Sequence, residues 1–230
     1  MAQPLAQPLA QPLAQPLAQP LLVTLAFIVP GLVPAAVPAP GAMTGWLISG
    51  AAQSVSQFVL LLVIIGVSGR LRDYGVHRLR AADIPRAAAL FGVILLLSRL
   101  AAALAVLAGY GAVGVAALIP QPMNTPPALI VTLSALFSLA VAYREELFYR
   151  LYLIGSLRNH GANAAAAVAV STLVFAAGHA WQGLPGIVSA LLVGAIMGVA
   201  TVRGLKLHAL ALAHAAYDFG VLLAAFGLLG

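Results

Sequence analysis

Cysteine is missing from all 230 residues, so disulfides, thiolate metal sites and a cysteine nucleophile are excluded at the outset. Charge is nearly as scarce. Only 7% of residues are charged against 63% hydrophobic, and mean hydropathy is +1.06. That is the composition of a polytopic membrane protein and not of a soluble domain. Lysine occurs once, at Lys206, and the other basic residues are arginines. Acids are fewer still: Asp73, Asp83, Glu145, Glu146 and Asp218 are the whole set. The net charge of +6 would suggest nucleic acid in a soluble protein. Here the arginines fall mostly between apolar runs, as cytoplasmic loops require, and no nucleic-acid partner is expected.

What the sequence has in abundance is apolar chain. At roughly 20 residues per span its length predicts one all-α transmembrane bundle of six to seven spans. Residues 2–21 repeat Ala-Gln-Pro-Leu. A proline at every fourth position removes helix hydrogen bonds, so 1–20 read as a disordered leader. It has no basic n-region, and no cleavage is expected. The N-terminal part, 21–127, holds candidate spans at 21–37, 46–67 and 87–107, the first interrupted by Pro30 and Pro34. The C-terminal part, 128–230, holds one long or broken helix at 128–157 and spans at 164–180, 187–202 and 207–229. Loops 70–86, 158–160 and 203–206 are basic, whereas 111–127 and 182–186 carry no charge. This alternation puts the basic loops in the cytoplasm and the C-terminus on the opposite side.

The charge that remains is concentrated. In Tyr143-Arg144-Glu145-Glu146-Leu147-Phe148-Tyr149-Arg150, two of the chain's acids stand side by side between apolar runs. A carboxylate in hydrocarbon costs several kcal/mol or neutralises, so an ionisable group there is a functional hypothesis by default. Helical spacing sets Glu146 and Arg150 one turn apart as a structural pair and turns Glu145 away from them, toward a cavity. Downstream, Phe175-Ala176-Ala177-Gly178-His179 puts a histidine late in its span. His214-Ala215-Ala216-Tyr217-Asp218 sets a histidine and an acid on one face of the last span. A lone membrane histidine more often serves helix–helix hydrogen bonding than catalysis. Three helices that each carry such a group argue for a central polar site.

Other positions carry less. Gly66-Val67-Ser68-Gly69 has the Gly-x-Ser-Gly pattern of rhomboid serine proteases, but so short a pattern arises easily in a glycine-rich chain. Arg99 lies inside a span and calls for snorkelling or for a partner such as Asp218 or Glu145. His160 and His208 adjoin basic loops and read as interfacial, and Trp46 and Trp181 fall near span ends as interfacial anchors do.

Glu145-Glu146-x-x-x-Arg150, Phe175-x-x-x-His179 and His214-x-x-x-Asp218 resemble, in order and spacing, the three signature motifs of the CPBP family. These are the CAAX protease and bacteriocin-processing, or Abi, intramembrane proteases, which include type II CAAX prenyl endopeptidases. The resemblance covers roughly 128–219. Two positions depart from the family pattern: Tyr149-Arg150-Leu151 stands where Phe-Arg-Gly is usual, and Asp218 where the last motif commonly ends in Asn.

The resemblance implies hydrolysis of a peptide bond in a membrane-anchored or lipidated protein or peptide, in a prokaryotic plasma membrane. Glu145 would be the general base on water, with His179 positioning it. His214 and Asp218 would face the oxyanion, with Asp218 either protonated or orienting His214. Zinc is an open question: Glu145, His179 and His214 form a donor set that catalytic zinc accepts, although His-Glu-x-x-His is absent. Metal-free catalysis is equally compatible. Acids and histidines in spans also make ion or proton relays, so a transporter is the alternative from another class, and a silent membrane scaffold is a third. Counting from the span ends sets Glu145 toward the cytoplasmic side and His179 toward the other. Their meeting therefore requires offset or broken helices, with Pro185-Gly186 inside the membrane.

Overall fold

The computed structural model describes residues 18–32, 42–67, 71–107 and 119–229, and all regular structure among them is helical. Chain order gives α1 (Ala18–Leu32), α2 (Met43–Val67), α3 (Asp83–Leu107) and α4 (Pro127–Glu145). A π-helical segment (Glu146–Leu153) continues α4 and leads into α5 (Ile154–Asn159). Then come α6 (Ala164–Gly178), a 3₁₀ turn (Ala180–Gln182), α7 (Gly183–Val202) and α8 (Leu207–Ala225). Five stretches are long and apolar enough to cross a bilayer: α2, α3, the continuous rod Pro127–Asn159, α7 with its preceding turn, and α8. With α1 and α6 the described rods number seven, an all-α membrane bundle of the expected kind.

The N-terminal boundary differs from the sequence reading. Helix α1 begins at Ala18, inside the repeat, because Pro20 falls in its first turn, where a missing N–H costs nothing. Residues 1–17 of the leader and 33–37 of the first expected span lie outside the described residues, as do Ser68 and Gly69 of the Gly-x-Ser-Gly stretch. Helix α4 opens with proline at its first position, and Asn163 caps α6 by accepting the Ala166 N–H at 2.8 Å.

Helix α4 packs along α2 and α8, α3 along α8, and α6 along α7. The α6–α7 seam is close because α7 turns a stripe of small residues (Gly186, Ala190, Gly194, Gly198) inward. A Cβ placed on Gly198 would come within 2.8 Å of Val168 on α6, so glycine is required there for approach rather than for flexibility.

Around the π segment all eight residues are buried, charged ones included, which marks this stretch as the axis of the bundle. The loop before α3 closes over one end of it. Tyr74 stacks on Tyr152 with centroids 5.9 Å apart, and His208 Nε2–H donates to the His77 carbonyl at 2.7 Å. His208 Nδ1 then accepts from the Tyr143 hydroxyl at 2.9 Å, so this histidine is a latch between loop, α4 and α8.

Candidate active site

The site is assembled where the wide π turn sets Glu145, Glu146 and Arg150 against α6 and α8. π geometry opens the helix, appears mostly as short insertions and is frequent at functional sites. The opened turn is tied to α6 by the Ser171 hydroxyl, which donates to the Tyr149 carbonyl at 2.7 Å.

Glu146 is fully buried and holds two partners. Its Oε2 lies 3.4 Å from Arg150 Nε, and its Oε1 accepts from His214 Nδ1 at 2.7 Å. The Arg150 guanidinium, also without exposed surface, lies over the Phe175 ring at 4.2 Å, a cation–π contact made stronger by exclusion of water. One carboxylate thus fixes both the arginine and the ring orientation of the histidine.

With Nδ1 so engaged, His214 presents Nε2 to the cavity. That nitrogen lies 3.8 Å from Glu145 Oε2 and 3.5 Å from Asp218 Oδ2. The other Glu145 oxygen is paired with Arg144, which also donates to Gln57 Oε1 on α2 at 3.2 Å. His179 follows the last residue of α6, and its Nδ1 is bonded to the Phe175 carbonyl at 2.8 Å. A carbonyl only accepts, so Nδ1 carries a proton, and in the neutral ring Nε2 keeps its lone pair.

Glu145, His179, His214 and Asp218 all line one cavity of about 480 Å³. The depth conflict seen in the sequence dissolves in the hairpin. Glu145 and His179 stand about fifteen residues on either side of the turn at 160–163, and residues equidistant from a hairpin turn come to the same level. Helix α6 has 15 residues, roughly 22 Å, short of the ~30 Å hydrocarbon core. Its end and the turn after it therefore lie within the bundle, and Pro185 and Gly186 line the cavity with His179.

Two tryptophans read as interfacial gain a further place here: Trp46 and Trp181 line the cavity, and Trp46 stacks on Phe137 with centroids 4.9 Å apart. Arg99 is exposed on α3 and forms no ion pair among the described residues, neither with Asp218 nor with Glu145. Among the described residues no three His, Asp or Glu side chains are arranged to hold a metal ion. Glu145, His179 and His214, the donors expected for zinc, line one cavity, with His214 Nδ1 held by Glu146 and one Glu145 oxygen paired with Arg144. Arg144 and Gln57 went unassigned in the sequence. Adjacent helical residues do not normally face each other, which hides Arg144 behind Glu145. Gln53 and Gln57, one turn apart in an apolar span, were the available signal for α2, and both line the cavity.

Fold and cavity together define an integral membrane protein with an acid–histidine site enclosed in a helical bundle. Residues 126–220 match the family described as Type II CAAX prenyl endopeptidase Rce1-like, the family its three motifs resemble. That match supports intramembrane endopeptidase activity of the CAAX class. No curated protein and no solved structure matches the chain.

Proposed function

We propose that this protein hydrolyses a peptide bond of a membrane-anchored or lipidated protein or peptide, with Glu145 as general base. The observation that carries the reading is the convergence of Glu145, His179, His214 and Asp218 on one cavity inside a membrane bundle. A water between Glu145 and the lone pair of His179 Nε2 loses a proton to the Glu145 carboxylate as its oxygen attacks the scissile carbonyl carbon. The carbonyl oxygen becomes the oxyanion and takes a hydrogen bond from His214 Nε2–H, with the imidazolium stabilised from behind by Glu146. Asp218 faces the same nitrogen and acts in its neutral form, because a second negative charge beside the oxyanion would oppose the step. Glu145 then passes its proton to the leaving amine as the C–N bond breaks, releasing a carboxyl and an amine.

Arg144, held by Gln57, offsets the cost of keeping a buried carboxylate and sets the direction in which Glu145 points. The test uses purified full-length protein in detergent with a panel of membrane-anchored and prenylated peptides. Cleavage is expected, and Glu145→Gln should lower turnover by roughly 10²–10⁴-fold with folding intact. Absence of cleavage across the panel, or full activity in Glu145→Gln, would overturn the proposal. Metal analysis of the active wild-type sample decides the zinc question directly.

A further inference from the structure

A second groove, of about 580 Å³, runs between α3 and α7 and shares no lining residue with the acid–histidine cavity. Its walls are Leu90 and Val93 from α3 and Ile196 and Val199 from α7. It ends in two arginines. Arg86 lies in the first turn of α3 and Arg203 directly follows α7, so both stand at the same end of the bundle. Both are exposed, and neither forms an ion pair among the described residues.

Four of the chain's five acids are engaged elsewhere. Glu145, Glu146 and Asp218 are committed to the cavity, and Asp83 accepts the Arg80 backbone N–H at the start of α3. Asp73 alone remains, against eleven basic residues. An unmatched cationic pair at the mouth of an apolar groove is complementary to one occupant class. We propose that the groove binds a single glycerophospholipid with an anionic headgroup, its phosphate between Arg86 and Arg203 and an acyl chain along Leu90, Val93, Ile196 and Val199. Guanidinium groups match phosphate oxygens in planar, two-point geometry. Basic pockets between transmembrane helices are where anionic headgroups are held. From Arg86 to Val93, and from Ile196 to Arg203, the walls run about 10 Å along the helices, which takes the upper part of an acyl chain. The bound lipid would seal the α3–α7 seam and is independent of the peptidase reading.

The experiment uses the full-length protein in neutral detergent, with native mass spectrometry and thermal melting as readouts. Phosphatidylglycerol is compared with phosphatidylcholine of the same chains. Phosphatidylglycerol should be retained better and raise Tm further. In the double variant R86Q/R203Q its apparent affinity should fall by roughly 5-fold per arginine, with the preference lost. Val199→Trp fills the groove from a wall residue that is 40% exposed, so it should lower retention of both lipids while leaving the lipid-free Tm in place. Inorganic phosphate and glycerol 3-phosphate, at matched concentration, should not displace the lipid. Equal retention of the two lipids, an unchanged preference in R86Q/R203Q, or displacement by phosphate alone would each overturn the proposal. The arginine and phosphate arms decide even if the tryptophan variant fails to fold.

Discussion

At the scale of single residues, Glu146 and Asp218 make the sharpest predictions. Glu146 holds Arg150 with one oxygen and His214 with the other, all three without meaningful exposure. Glu146→Gln therefore leaves a buried guanidinium unpaired, a loss of roughly 3–5 kcal/mol, and it also weakens the acceptor that orients His214. Melting temperature should fall, and specific activity per folded molecule should fall as well. Adding Arg150→Gln should restore much of the Tm, because both charges are then gone, but not the activity, because His214 still lacks its carboxylate. Recovery of both together would mean that Glu146 serves Arg150 alone. Asp218 tests the oxyanion step separately. If its neutral form acts, Asp218→Asn should keep activity within a fewfold, since the amide can donate where a protonated acid would. Asp218→Ala should lose activity, and steady-state kcat on a cleavable peptide discriminates the two outcomes. The pairing of Glu146 with Arg150 could be seen from helical spacing. Its second bond, to His214, could not, because 68 residues separate the partners and nothing local records that they meet.

At the scale of elements, the site depends on a widened turn and a short helix. The π segment sets charged, aromatic and aliphatic side chains on every side of one rod, and every one of them is buried. Hydropathy showed a helix through this region but not its width, since π geometry is held in place by neighbours such as Ser171 rather than by local preference. Helix α6 reaches the π segment only because α7 lies close behind it. Gly198→Leu forces a side chain against Val168, where a Cβ alone would stand 2.8 Å from Cγ1. The cost should be about 1–3 kcal/mol, read as a lower Tm with activity tracking the folded fraction. Combining it with Val168→Ala should return part of the loss. An undiminished Tm in Gly198→Leu would show that the seam has slack the packing does not suggest.

At the scale of the whole molecule, the arginine distribution predicts orientation. Loops 71–82, 158–160 and 203–206 gather at one end of the bundle, where Gly75 meets Lys206 and Gly155 meets Tyr74. The uncharged segment around Asn124 follows the opposite pattern. Because the chain has no native cysteine, single cysteines give a clean background. In intact cells, Arg78→Cys and Arg203→Cys should be protected from an impermeant thiol reagent and Asn124→Cys should react. The reverse labelling would invert the bundle.

Composition and the continuous apolar runs together pointed to a helical membrane protein, since barrel strands would alternate apolar and polar residues instead. The motifs also named the residues that line the cavity, because a charge in hydrocarbon is too costly to be incidental. Tertiary structure decided how they meet. A hydropathy profile measures distance from span ends, whereas the level at which Glu145 and His179 face each other is set by distance from their shared turn and by the shortness of α6. The same holds for Trp46, Gln57 and Arg144. Each looks ordinary in its own segment, and acquires a place at the site only through packing of α2 against α4.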